Sequence, residues 1–198
     1  MRAIQLGALA LFLFASSVYA QSAQHVRGDI ASIEGTKLIV HTRTGDTIPI
    51  ELADNYKVVA VVPASRGALK EGAFVGAAAM PEPDGTQRAL EVLVFPESGR
   101  GSGEGHYPWD LKPGSTMTNA TVAEVAKVDQ GERLTLKYKD GEKTVVVPHD
   151  VPIVTFEPGS REMLRSGAHV LVSARPKPDG SLTAASVLVG KDGLVPPM

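Results

Sequence analysis

Imidazoles and carboxylates come first, because together they can ligate a metal. The chain has five histidines, His25, His41, His106, His149 and His169. None is spaced i,i+4 or in a finger-like pattern with another. His106 opens the run His106-Tyr107-Pro108-Trp109-Asp110. His106 with Asp110, joined by His25, is the imidazole-plus-carboxylate set that suits zinc, copper or nickel. A metal-binding or metal-handling role for His106, Asp110 and His25 is therefore one reading of the chain. His149-Asp150 points elsewhere: Asp54 recurs as Asp150, but no histidine recurs with it, so turn geometry explains the aspartates.

Other chemistries are thinner. Ser, His and Asp all occur, but no nucleophile-elbow motif frames a serine. The recurring Ser65 and Ser160 read as helix caps. A hydrolase of unknown substrate using His106 or His149 stands as a second alternative. Gly99, Gly101, Gly103 and Gly105 lack the Lys-Ser/Thr of a phosphate loop and read as linker. Arg66 and Arg161 each follow their serine directly. A planar guanidinium there suits an anionic ligand group or an acidic neighbour within the fold. Asn119-Ala120-Thr121 matches a glycosylation sequon, which has meaning only in a eukaryotic secretory route. The chain has no Cys, which excludes thiol catalysis, thiol redox chemistry and thiolate metal sites.

The elements that must position these residues come from a repeat. Residues 58–94 and 153–189 share one pattern. Pro63, Ser65, Arg66, Leu69, Gly72 and Val75 recur as Pro158, Ser160, Arg161, Leu164, Gly167 and Val170. Pro81, Pro83, Asp84 and Gly85 recur as Pro176, Pro178, Asp179 and Gly180. Self-similarity at a fixed offset marks one structural unit used twice. Each unit opens with short strands joined by Gly-containing hairpin turns, such as Thr44-Gly45-Asp46 and Lys139-Asp140-Gly141. The alternation of Leu134, Leu136 and Tyr138 with Thr135 and Lys137 has the period of a half-buried strand. A Ser-to-Gly segment of one helical turn follows, with Leu69 or Leu164 placed to plug a barrel end. Two closing strands then flank Pro-x-Pro-Asp-Gly.

This order predicts a mainly β chain of two tandem five-stranded OB-like barrels, each with a short helix between strands three and four. The expected layout is a signal peptide over residues 1–20, a first barrel over 26–95, a Gly/Pro/aromatic linker over 96–118, a second barrel over 119–190 and a tail over 191–198. The only Trp of the chain, Trp109, lies in the linker beside Tyr107. Such rings bury large apolar areas, so the linker is expected to dock between the barrels and wall a groove. Candidate groove residues are Tyr107, Trp109, Arg66 and Arg161.

Arg2, the apolar stretch from Ile4 to Phe14 and the small residues before Gln21 form the pattern of a secretory signal. Cleavage after Ala20 is expected, giving a soluble periplasmic or secreted protein with no membrane span. The formal net charge is −2, with no basic stripe of the kind a phosphate backbone requires. Nucleic acid is therefore not an expected partner; an unknown protein or small ligand is.

Each unit resembles the small extracytoplasmic OB-like β-barrel domains that occur in tandem in bacterial proteins of unknown function. The resemblance is carried by Gly28-Asp29-Ile30, Gly45, Leu69-Lys70-Glu71-Gly72 and Asp84-Gly85 with Ala89 and Val92. In the second unit it is carried by Gly141, the segment from Leu164 to Gly167, and Asp179-Gly180 with Ala184 and Val187. The opening glycine is replaced there by Asn119-Ala120-Thr121-Val122. The resemblance implies an export-linked binding or structural module and carries no catalytic residues to transfer; with no catalytic set recurring in the repeat, no catalysis and no cofactor are expected.

Overall fold

The structure is a computed structural model that describes residues 23–198. The expected signal peptide lies outside them. The described chain is mainly β, with helical content limited to single 3-10 turns. Twelve strands follow in order: β1 (Gln24–Glu34), β2 (Lys37–Thr42), β3 (Thr47–Pro63), β4 (Phe74–Pro81), β5 (Gln87–Val94), β6 (Gly105–Pro108), β7 (Thr116–Val128), β8 (Gly131–Tyr138), β9 (Gly141–Pro148), β10 (Ile153–Pro158), β11 (His169–Pro176) and β12 (Leu182–Gly190). No helix among the described residues is long and apolar enough to cross a membrane.

The pairing corrects the tandem arrangement. Strands β1, β2 and β3 do not close on the last strands of their own repeat. β1 pairs with β11, and β3 runs parallel to β12 from Leu182 opposite Ile50 to Gly190 opposite Val61. With β11 beside β12, five strands from both repeats form a closed barrel. The remaining strands are joined in the complementary way. β4 pairs with β7, β7 with β8, and β8 with β9. A short parallel ladder from β5 to β9, Gln87 to Val145 and Arg88 to Val146, completes that second ring of pairings. The two repeats have exchanged their closing strand pairs.

The physical reason lies in β3. Residues 53–62 contain no Gly or Pro, so no turn residue folds the chain back after Leu52. The ladder with β12 slips between Leu52 and Lys57 but continues to Val61, and over Val59–Pro63 the same strand also pairs antiparallel with β10. Val61 faces Phe156, its own counterpart in the repeat. The two crossing strands are thus related by a pseudo-twofold axis, and each delivers the rest of its repeat to the other ring. This is the geometry of element exchange between identical units, here within one chain. In the second repeat, Pro148 and Pro152 break the same long strand into β9 and β10, as proline must where the ladder needs a donor.

The expected short helices are single 3-10 turns, Arg66–Ala68 and Arg161–Met163. Neither Ser65 nor Ser160 caps its turn through the side chain. Leu69 and Leu164 are buried as expected, each in a separate ring core. A third apolar cluster fills the space between the rings: Val61, Leu93, Val154, Leu171 and Met198, with Phe95, Phe156, Leu188 and Leu194 packed on it.

Candidate functional site between the rings

Strand alternation and one bulge build the site. In β5, Ala89 and Val92 both face a ring core although they are three residues apart. The register slips between Ala78/Glu91 and Ala79/Ala89, leaving Leu90 as the extra residue. Such a bulge re-aims the side chains beside it. Glu91 and Leu93 are thereby turned out of the ring and toward the space between rings, with Phe95 continuing the same face. Ser186 precedes Val187 as Glu91 precedes Val92, so the repeats place a carboxyl on one side of the pseudo-axis and a hydroxyl on the other.

On β11, Val172 and Ala174 face the core while Leu171 and Ser173 face outward. On β7, Met117 and Asn119 share a face, opposite Tyr107 and Gly105 of β6. Glu91, Leu93 and Phe95, with Leu171, Ser173, Met117, Asn119 and Tyr107, line a cavity of about 150 Å3 together with His25, Trp109, Phe156, Leu188 and Met198. Both rings, the crossing strand β10, the connecting segment and the chain's last residue contribute to it. Ser173, exposed on the rim, connects it to solvent.

The polar groups of this cavity set it apart. Among the described residues, the buried side-chain nitrogen and oxygen atoms without a hydrogen-bond partner are Glu91 Oε1, Glu91 Oε2, Trp109 Nε1 and Asn119 Oδ1. All belong to residues that line the cavity. Buried polar groups are otherwise almost always paired, because leaving one unpaired costs about 1–3 kcal/mol. Glu91 is 0% exposed. Burial pushes its carboxyl up to about 8, against the opposing pull of the Arg27 charge. Burial also raises the Tyr107 hydroxyl. Asn119 Nδ2 donates to the Ser102 carbonyl at 3.0 Å and to Tyr107 Oη at 3.2 Å. A carbonyl only accepts, so the amide orientation follows and Oδ1 is the atom left over.

The connecting segment is held from both sides. β6 is hydrogen-bonded to β7. On the other side, Asp110 Oδ1 accepts from Arg27 Nη2 at 2.7 Å and Asp110 Oδ2 lies 3.0 Å from His25 Nδ1. Burial alone would raise the Asp110 carboxyl, but the hydrogen bonds from Arg27 and His25 outweigh it and hold the group below its ordinary value. The His25 ring lies 4.4 Å from that of Trp109, and the Arg27 guanidinium lies 5.9 Å from the indole centre. Arg27 Nε also donates to the Met198 carbonyl at 2.8 Å.

The residues expected from sequence are distributed unevenly. His25 and Asp110 meet, but His106 does not join them. Its neighbour Tyr107 faces the cavity, so alternation turns His106 to the other side, where Nδ1 lies 2.9 Å from Thr118 Oγ1. Burial, then the nearby Lys143 charge, lowers its basicity. Among the described residues no three His, Cys, Asp or Glu gather as a metal site. Tyr107 and Trp109 line the cavity; Arg66 and Arg161 do not. Arg66 forms an ion pair with Glu132 and donates to the carbonyls of Val147, Pro148 and His149. Arg161 sits over the Tyr56 ring at 4.5 Å and donates to the Asp54 carbonyl. Glu91 and Asn119 were missed. The available signal for Glu91 was a lone charge inside the apolar run Ala89–Val94.

A larger open cleft of about 620 Å3 lies beside the Glu82–Thr86 turn. None of the buried unpaired polar atoms of the described residues belongs to its lining, and within it Asp84 accepts from Thr86 and Arg88 donates to Gln130. The inter-ring cavity is therefore the better candidate despite its smaller volume. No family model, curated protein or solved structure matches the chain.

Proposed function

We propose that this chain is an exported, non-catalytic binding module of two OB-like rings, whose ligand site is the cavity between them. The observation that carries the reading is that the unpaired buried polar atoms of the described residues, on Glu91, Trp109 and Asn119, all belong to residues lining one aromatic-walled space. Concave, mostly apolar sites with a few convergent polar groups at an interface between units are where small ligands bind. A volume of about 150 Å3 suits a small organic molecule. The OB-like description is supported by strand order: in the closed barrel, strands one and four of the motif pair antiparallel and strands three and five run parallel. Export is supported by the signal pattern of residues 1–20.

The test is a thermal-shift screen of residues 21–198 against a diverse panel of small molecules. Each hit is then repeated on Ser173→Trp, which places an indole at the exposed rim. Ligands that stabilise the parent chain should lose their effect on the variant. A screen with no hits, or hits indifferent to the rim substitution, would remove the reading. Turnover of an ester, phosphate or peptide panel would overturn its non-catalytic part.

A further inference from the structure

We propose that the inter-ring cavity binds a small primary amine that also carries an oxygen acceptor, such as an amino alcohol. The inference rests on the reading of the cavity as a ligand site and names the chemistry it selects. A primary ammonium offers three N–H donors. The cavity residues hold three buried acceptor oxygens without a partner, Glu91 Oε1, Glu91 Oε2 and Asn119 Oδ1. They also hold one buried donor without a partner, Trp109 Nε1. An indole N–H can only donate, so it calls for an oxygen on the ligand.

Charge and surroundings select in the same direction. Arg27 acts on Glu91 from β1, and His25 of β1 and Tyr107 of the connecting segment line the same cavity. Arg27 is already engaged by Asp110 and by the Met198 carbonyl. Glu91 is left as the one buried carboxyl of the site with no partner. The aromatic rings of Tyr107, Phe95, Phe156 and Trp109 line the same space, and aromatic faces attract cations. A quaternary ammonium lacks the N–H groups that the three oxygens require. An anion would meet Glu91 with no free cation to offset it. The volume of about 150 Å3 excludes nucleotides and peptides.

Binding is coupled to a proton. The free carboxyl titrates at about 8, so at pH 7 it is mostly neutral. An arriving ammonium ionises it, and the proton passes to solvent. Proton release on binding should be measurable at pH 7, and affinity should rise with pH from 6 toward 8, by up to about tenfold per pH unit below the carboxyl's own value.

The experiment is isothermal titration of residues 21–198 in buffers of different ionisation heat, with Trp109 emission read in parallel. The probes are 4-aminobutan-1-ol, pentan-1-ol, which replaces the ammonium by methyl, and pentan-1-amine, which replaces the hydroxyl by methyl. The expected order is amino alcohol first, pentan-1-amine roughly tenfold weaker, and pentan-1-ol at least fiftyfold weaker, on the strengths of single neutral and charged hydrogen bonds. Glu91→Gln should abolish the preference for the amines and the proton release while keeping the far-ultraviolet spectrum. Pentan-1-ol binding as tightly as the amino alcohol would overturn the amine assignment but leave the cavity a ligand site. Undiminished amine binding by Glu91→Gln would overturn it as well. So would no binding of any of the three probes, in which case the rim-blocking screen alone decides whether the cavity binds anything.

Discussion

Arg27 reaches Asp110 across the boundary between the rings, Nη2 to Oδ1 at 2.7 Å. Arg27 belongs to the first ring's β1, whereas Asp110 follows the strand that pairs with β7 of the second. The single tryptophan lies one residue before that contact. Asp110 is half exposed, so Asp110→Ala should cost only about 0.5–1 kcal/mol. Its larger effect should be on position: Trp109 emission is expected to move to the red as the segment loosens. The depressed Asp110 value means that this stabilisation is present at neutral pH and lost as pH falls through it. Unchanged emission in the variant would show that packing on β7 alone holds the indole.

Glu91 sets a pH dependence of the opposite sign. Its folded value of about 8 lies far above the roughly 4.3 of an unfolded glutamate. The native chain keeps a proton that the unfolded chain gives up between those values, so each pH unit in that window lowers stability by about 1.4 kcal/mol. Below the window nothing is lost; above pH 8 the loss is on the order of 4–5 kcal/mol. Glu91→Gln should therefore match the parent in chemical denaturation near pH 4 and be clearly more stable at pH 9. Comparing the two chains isolates Glu91 from Asp110 and Glu132, whose depressed values act at acid pH. A constant difference across the range would mean that Glu91 is not buried as described.

Much of this architecture was legible in the sequence, and the parts that were not have physical causes. Hairpin turns at Gly45 and Gly141 and the closing strands around Asp84-Gly85 and Asp179-Gly180 are local, set by turn chemistry and period. Which strand closes which ring is not local. A run without Gly or Pro such as residues 53–62 serves equally for folding back or crossing over, and only the ladder between Val61 and Phe156 decides. The site followed the same division. Tyr107 and Trp109 stand out by type, whereas His106, expected beside Asp110, is turned to Thr118 once β6 is a strand. Glu91 faces the cavity because Leu90 is bulged, a one-residue slip that side-chain period alone does not reveal.

Arg66 and Arg161 occupy equivalent places in the repeat but should differ sharply in worth. Arg66 is bonded to Glu132 and three backbone carbonyls, and the guanidinium holds the Glu132 carboxyl below its ordinary value. Replacing it leaves a carboxylate and carbonyls unsatisfied, so Arg66→Ala should cost about 2–3 kcal/mol. Lysine has no planar fork and should not restore it. Arg161 is exposed, with one carbonyl and the Tyr56 face as partners. Arg161→Ala should cost about 0.5–1 kcal/mol. Denaturant midpoints of the three variants decide; equal losses at the two arginines would contradict the asymmetry.

The exchange of strands makes the sharpest claim about how the chain folds. In the first repeat alone, β1, β2 and β3 would lack β11 and β12, and β4 and β5 would lack β7 to β9. The ring core around Val26, Ile30, Leu38, Val40, Val172 and Val187 would lose the side chains that come from the other repeat. A half chain therefore has two routes to a closed ring. It can bend residues 53–57 sharply and fold on itself, or it can exchange strands with a second copy across the axis at Val61. The bend has no Gly or Pro to favour it, so the second route should win. Residues 21–100 expressed alone should be unfolded at low concentration and dimeric at high concentration. Mixed with residues 101–198, they should assemble into a one-to-one complex with the β spectrum of the intact chain. Light scattering and circular dichroism across a dilution series follow both. A half chain that stayed folded and monomeric on dilution would show that each repeat closes on itself, and that the crossing of β3 and β10 is not what holds the rings together.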